Sequence, residues 1–478
     1  MKRSTLSPKT QEVADFVDRL AGRREKYIKH HRQYYSNLLR FLENNIPAGG
    51  SVLEIGCGTG HVLHAMKPSV GVGVDVSPNM IKTARSLYPD LTFVNGDIQS
   101  VDLKKKFDYI IISDTLGYLE NIQNVFRNMR RFTHGGTRIF ITFHNYLWQP
   151  VLRVAELFRL KMPQRRLNWL NRGAVCNLLH LEDYEIIKTG KFLLFPFFFP
   201  LLSWIFNRIL AHLPLLNRVC LINYVAARPL PSPAYPSRPL SVSVIIPARN
   251  EKGNIRAALK RMPFMGKKTE IIFIEGHSTD GTYDEIRRVC DGYKGKFTLQ
   301  YAKQDGKGKF DAVKKGFAMA TGDLLMILDA DLTVPPEELP KFYEVIDSGK
   351  AEYVQGSRLV YPLEKQAMRT LNILGNKAFS RILSWLLGQK LTDTLCGTKV
   401  LTKTNWEKIC SNRQRFRTLD PFGDFDIIYG VAKHNLKILE IPIRYQARGY
   451  GATNIMRFRH GWMLLKMVFF SMGKTKFT

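Results

Sequence analysis

The chain is short of acid. Its 478 residues carry 41 Asp and Glu against 71 Lys and Arg, a formal charge of +30. A surplus of that size attracts polyanions: nucleic acid, anionic lipid head groups or phosphorylated substrates. Other absences narrow the choice. There is no zinc-finger spacing, no basic leucine-zipper pattern and no aromatic ribonucleoprotein motif, so nucleic acid is set aside as a partner. Cysteine is scarce, and the six at 57, 176, 220, 290, 396 and 410 form no CxxC pair. That excludes a disulfide framework and suits reduced thiols facing the cytosol. The opening stretch MKRSTLSPKTQEVADF lacks an apolar core, so no secretory signal is expected. A spanning helix needs about 20 apolar residues. The most apolar segment, FLLFPFFFPLLSWIF at 192–206, has 15 and contains Pro196 and Pro200. It is expected to be buried or to insert at an interface rather than to span.

What is present points to two α/β domains. The length is roughly two to three times that of a typical domain, and the apolar share of 45% is ordinary for a globular chain. Residues 10–45 space their apolar positions as one or two helices. From Ser51 five strand candidates follow, SVLEIG, GVGVDV, LTFVNGD, FDYIIIS and TRIFITF, separated by helix-like stretches, the alternation of a parallel sheet. RPLPSPAYPSRP, with five prolines at 228–239, reads as a stiff linker. The alternation then restarts with SVSVIIP, EIIFIEG, FTLQYA, DLLMILDAD and AEYVQGSR. The expected organisation is a first domain at 1–227, a linker at 228–240, a second domain at 241–450 and a basic amphipathic tail at 451–478.

In VLEIGCGTG a strand runs into Gly56, Gly58 and Gly60 at alternate positions, where glycine tolerates positive φ and lets backbone approach a ligand. Asp75, 19 positions after Gly56, ends the next strand at the spacing of a ribose-binding acid. VNGD then offers Asp97 beside an adenine ring. LEIGCGTG, VDVS, NGD and FDYIIISDTLGYL together resemble the class I S-adenosylmethionine-dependent methyltransferases over about residues 45–227. The resemblance implies a Rossmann-like, seven-stranded doubly wound sheet. It also implies a cofactor site of Glu54, Gly56, Gly58, Gly60, Asp75 and Asp97, with Asp114 facing methyl donor and substrate. The sulfonium is already activated and orientation supplies much of the rate, so no catalytic base is assigned. His144 or Tyr146 could contact a substrate, but a packed or surface role is the expectation for both.

In ILDADLT, Asp329 and Asp331 follow an apolar strand at i, i+2. Two carboxylates so placed can hold one Mg²⁺ or Mn²⁺ and leave room for a diphosphate; equally they are turn or N-cap residues before PPEEL. VSVIIPARNE, IIFIEGHSTDGT, DGKGKFDAVKKGF and the DAD triplet, in that order, resemble the family-two glycosyltransferases of GT-A fold from about Ser241 to Tyr450. Polyprenyl-phosphate and dolichyl-phosphate sugar transferases are the nearest type. By that resemblance Pro247, Glu251 and Glu275 contact the nucleoside of a UDP- or GDP-linked sugar. Lys307 and Lys309 lie near its phosphates, Asp329 and Asp331 hold the metal, and Arg358 and Arg369 bind the acceptor phosphate. Thr333 stands where the lipid-phosphate transferases often have a glutamine ligand, which implies weaker or water-mediated coordination.

Asp424, in DPFGDFD, has two readings. It is a general base if the acceptor is a saccharide hydroxyl, and an orienting residue if the acceptor is a lipid phosphate, which needs no base. The tail from Tyr450 carries five Lys or Arg and no acid, suiting an anionic membrane surface. The expectation is a bifunctional enzyme, peripheral on the cytoplasmic face of a membrane, with S-adenosylmethionine and Mg²⁺ or Mn²⁺ as cofactors. A chain in which one half is a degenerate binding scaffold is the alternative.

Overall fold

A computed structural model describes residues 6–158, 160–163, 168, 170–231, 239–359, 370–411, 423–450, 462–463, 466–469 and 472. Most of the linker, nearly all of the basic tail, and Arg369 lie outside them. The chain divides between Leu230 and Pro231 into two compact units.

The first unit is built on seven strands: β1 (Ser51–Ile55), β2 (Val70–Asp75), β3 (Thr92–Asn95), β4 (Tyr109–Ser113), β5 (Arg138–His144), β6 (Tyr184–Phe192) and β7 (Ile222–Pro229). Their order is β3-β2-β1-β4-β5-β7-β6. The first five pair in parallel, while β7 runs antiparallel to both β5 and β6. The central strands are apolar on both faces, as a sheet covered by helices on both sides requires. Val52, Leu53, Ile110, Ile111, Ile112, Ile139, Phe140 and Ile141 are all wholly buried. Strand order reverses beside β1, so β1 and β4 leave their C-terminal ends open at the point where such folds bind ligands.

The expected linker starts too early. Arg228 and Pro229 belong to β7, with Arg228 opposite Glu185 and Pro229 opposite Tyr184 on β6. Residues 8–45 form helices at Pro8–Leu20, Arg24–His30 and Arg32–Asn45. The first is tied to the sheet's ligand end by Asp18, whose carboxylate accepts from Ser77 Oγ at 2.6 Å and from the Asn79 backbone N–H at 2.9 Å.

The second unit has its own seven strands: β8 (Val242–Ala248), β9 (Thr269–Glu275), β10 (Thr298–Lys303), β11 (Leu324–Ile327), β12 (Tyr353–Ser357), β13 (Lys399–Thr402) and β14 (Ile438–Pro442). Their order is β10-β9-β8-β11-β13-β12-β14, with β13 antiparallel to both neighbours. Two apolar cores, one on each face, sandwich the sheet. Among the described residues no helix is long and apolar enough to cross a membrane, and none of the six cysteines is in a disulfide.

Candidate active sites

The glycine-rich turn of the first unit leaves β1 at Gly56, whose φ is +75°, and a Cβ there would stand 2.3 Å from Thr115 Oγ1. Only glycine lets the turn lie against the end of β4. Asp75 locks this turn: its carboxylate accepts from Gly58 N–H at 2.8 Å and from Ser77 N–H at 2.9 Å. Burial raises the pKa of Asp75 above the ordinary carboxylate value, with those N–H bonds and Arg24 acting in the opposite sense. Asp97 accepts from the Gln99 backbone at 3.0 Å.

These pieces line a cavity of about 700 Å³, together with Gly56, Gly58 and Asp114. Glu54 is not among its lining residues. The carboxyl group lies beneath the turn and accepts from Leu63 N–H at 3.0 Å, inside the first turn of the helix His61–Ala65. Burial drives its pKa up to about 8.

Of the two residues offered for substrate contact, His144 lines the cavity. Its Nδ1 is 3.7 Å from Asp114 Oδ1, and its ring stacks on that of Tyr34 with centroids 5.8 Å apart. Tyr34 donates its hydroxyl to the other oxygen of Asp114. Asp114 is itself in the left-handed region, at φ +53°. Tyr146 is exposed.

The sequence reading missed the cavity's other wall. It comes from the N-terminal helices, through Arg24, His31, Tyr34 and Tyr35. The signal was present in HHRQYY, where four rings crowd the junction of the helices Arg24–His30 and Arg32–Asn45. Tyr35 faces Arg24 across a cation–π distance of 5.9 Å.

In the second unit Asp329 and Asp331 sit beyond the end of β11, in a turn closed by Leu332 N–H on Asp329 O at 3.2 Å. Asp329 pairs with Lys309, the first residue of the helix Lys309–Met319. Asp331 is 2.6 Å from Arg448 Nη2, while Nη1 of the same arginine is 3.0 Å from Glu251. Burial opposes the charge on Asp329, but Lys309, Lys399 and Arg358 outweigh it and hold its pKa below the usual range. Lys309 is shifted the other way: burial works against its charge, and Asp329, Asp424 and Asp331 more than offset that. Seven segments thus converge on one cluster of alternating charge.

Gly397 makes the convergence possible. A Cβ there would stand 1.9 Å from Asp329 Oδ2 and 2.7 Å from Lys309 Nζ. Behind it, Lys399 is wholly buried and lies 2.6 Å from Asp424 Oδ1, at the start of the helix Asp424–Lys433. Thr333 spends its hydroxyl on Asp331, donating to Oδ1 at 2.8 Å.

Arg358 is gripped by Asp393 through Nε at 2.7 Å and Nη2 at 2.8 Å, and its guanidinium lies 5.2 Å from the Tyr445 ring centroid. Of five guanidinium N–H donors, Asp393 takes two, one at Nε and one at Nη2. Glu275 accepts from Ser278 N–H within its own turn. Pro247 lies in β8, and Lys307 is exposed two residues before Lys309. Arg448, Asp393 and Lys399 were not picked out for these roles from the sequence. Their partners are 117, 35 and 25 positions away, respectively, and only the sheet order brings them together.

Among the described residues no group of three or more His, Cys, Asp or Glu is arranged to hold a metal. Asp329 and Asp331, each paired with a cation, are oxygen donors of the kind that would suit Mg²⁺ or Mn²⁺.

Comparison with known proteins divides at the same place as the fold. Residues 24–189 match the family model of a methyltransferase domain, and residues 243–406 that of glycosyl transferase family 2. A low-salt glycan biosynthesis hexosyltransferase of Haloferax volcanii is 32% identical over 231 residues, 46% of this chain and 51% of the relative. A dolichol-phosphate mannosyltransferase of Pyrococcus furiosus is 29% identical over 245 residues, 48% of this chain and 64% of the relative. The chain therefore spans less than two thirds of either relative's length. Among solved structures, a S-adenosylmethionine-dependent methyltransferase of Thermotoga maritima aligns with 45% of this chain and 99% of its own at 16% identity, with a TM-score of 0.36.

Proposed function

We propose, for a chain that carries a methyltransferase domain followed by a family 2 glycosyltransferase domain, that both units are active. The second transfers a sugar, with inversion, from a UDP- or GDP-linked donor to a polyprenyl phosphate or related lipid carrier. The first transfers a methyl group from S-adenosylmethionine to an acceptor of the same glycan chemistry. The relatives' names, a hexosyltransferase of glycan biosynthesis and a dolichol-phosphate mannosyltransferase, support the class of reaction.

The observation that carries the reading is the charge cluster around Asp329. A divalent cation held by Asp329 and Asp331 would supply positive charge to the departing nucleoside diphosphate. Lys309 and Arg448 hold these carboxylates in place and put two further cations where that diphosphate leaves. Glu251 fixes Arg448 from the opposite side. Arg358, oriented by Asp393, is read as facing an acceptor phosphate, for which a guanidinium fork is suited. A phosphate is already anionic and needs no base. Asp424, committed to buried Lys399, is therefore read as a positioning residue.

In the first unit Asp75 and the turn at Gly58 are read as the ribose side of the cofactor site, with Asp97 on the adenine side. Asp114, oriented by Tyr34 and facing His144, is read as the group that receives the methyl acceptor. Of the basic tail, the described Met467 and Val468 are buried in the second unit's core; its cations are read as a contact with an anionic membrane surface.

Titration calorimetry on the full chain tests the division of labour. Asp75→Asn is expected to weaken S-adenosylmethionine and leave Mn²⁺-dependent nucleotide-sugar binding unchanged; Asp329→Asn is expected to do the reverse. Loss of both ligands in either variant would contradict it.

A further inference from the structure

The first unit wears part of its surface inside out. Between Phe195 and Asn207 the polar side chains point inward: Ser203 and Asn207 are buried. Ser203 Oγ donates to Phe197 O at 2.7 Å and accepts from Phe199 N–H at 2.8 Å, and Asn207 bonds both backbone groups of Phe195 at 2.7 and 2.8 Å. The apolar side chains point outward, with Leu201 70%, Trp204 52% and, further on, Leu215 75% exposed. A segment that satisfies its own backbone and turns hydrocarbon outward is built for surroundings that offer no hydrogen bonds.

The patch is large. Phe197, Phe198, Phe199 and Trp204 are each about half exposed, which leaves roughly 400 Å² of aromatic surface in the open. That already reaches the range of the largest patch on an ordinary monomer, about 300–600 Å². The helix Gln149–Leu157 adds Val151, Val154 and Leu157, the last 80% exposed. Val151, Val154 and Phe197–Phe199 also line the 700 Å³ cavity, so the apolar surface continues into its mouth.

The two stretches of chain that carry this surface are basic in sequence, with Glu182, Asp183 and Glu185 lying between them. Residues 145–181 and 186–227, read on the sequence, hold ten Lys or Arg and a single acid, Glu156. That acid is occupied by Lys161 at 2.7 Å. Arg32 lays its guanidinium 3.6 Å over the Phe198 ring, covering aromatic carbon while carrying charge to the rim. Aromatic and leucine side chains on a basic stretch of chain, with Arg32 laid over Phe198, match the head-group boundary of an anionic bilayer.

We propose that residues 149–158 and 197–216 form a docking face for an anionic lipid bilayer, so that the methyltransferase-type cavity opens at the membrane. The proposal rests on reading that cavity as a methyl-transfer site. The test is flotation and hydrogen–deuterium exchange of the full chain with vesicles of phosphatidylcholine alone and of phosphatidylcholine with a quarter phosphatidylglycerol. The expected result is flotation with the anionic vesicles and slowed exchange in both segments. The variant Leu157→Ser/Leu201→Ser/Trp204→Ser, which changes no cavity-lining residue, is expected to lose that protection and bind at least tenfold more weakly while S-adenosylmethionine affinity stays within twofold. Flotation with exchange in the two segments unchanged would assign docking to another part of the chain and overturn the proposal. Protection without vesicles, accompanied by a dimer mass, would assign the face to a second copy and overturn it equally. Docking by a chain that binds no S-adenosylmethionine would overturn the methyl-transfer reading and leave the docking face standing.

Discussion

Lys399 Nζ lies 2.6 Å from Asp424 Oδ1, with the lysine side chain wholly withdrawn from solvent. Removing one partner strands a buried charge, which costs about 3–5 kcal/mol. Lys399→Met is therefore expected to lower the calorimetric transition of the second unit markedly. Lys399→Met combined with Asp424→Leu is expected to recover part of that loss, because neither charge is then left alone.

The same pair separates the two acceptor chemistries. With a phosphate acceptor, Asp424→Asn lowers the transfer rate through lost positioning, and the shape of the pH–rate profile is unchanged. With a saccharide hydroxyl acceptor, the acidic limb of the profile disappears along with the base. The pH profile of transfer by Asp424→Asn decides between them.

Gly397 is expected to tolerate no side chain. Gly397→Ala would drive a methyl into Asp329 and Lys309. Nucleotide-sugar binding in the presence of Mn²⁺ is expected to fall at least tenfold, while S-adenosylmethionine binding by the other unit is untouched. Calorimetric titration of both ligands measures it.

Glu54 makes the first unit sensitive to alkali. Its ordinary pKa of 4.5 rises to about 8 in the fold because it is buried. Between those values the folded state keeps a proton that the unfolded state has released, so stability falls as pH rises. Glu54→Gln keeps an acceptor for Leu63 N–H and has no proton to lose. It is expected to flatten the decline and to be more stable than the parent above pH 8 by about 1–3 kcal/mol. Melting curves of the first unit across pH 5–9 measure the slope.

Both sheets were legible in their N-terminal halves, where apolar strands of β-branched residues alternate with helices. The later strands were not. β6 carries Lys188 and Lys191, β13 begins at buried Lys399, and β14 carries Glu440, so none reads as a plain apolar run. They also pair antiparallel or across long gaps, β12 with β14 for example, which local periodicity does not report.

The sites divide in the same way. Asp75, Asp97, Asp329 and Asp331 follow short apolar strands and were visible by spacing. Arg448, Asp393 and the Tyr34–His144 stack depend on contacts between distant segments. Glu54 was legible as part of the loop, but not that its carboxyl group turns beneath it toward Leu63.

Transfer of sugar label tests the central claim most directly. The full chain is incubated with labelled UDP- and GDP-sugars, a polyprenyl phosphate and Mg²⁺ or Mn²⁺, and the label is followed into the organic phase. The account predicts lipid-phase label with at least one donor, lost in Asp329→Asn and strongly reduced in Arg358→Ala. Label on a soluble saccharide, with none in the lipid phase from any donor, would contradict it.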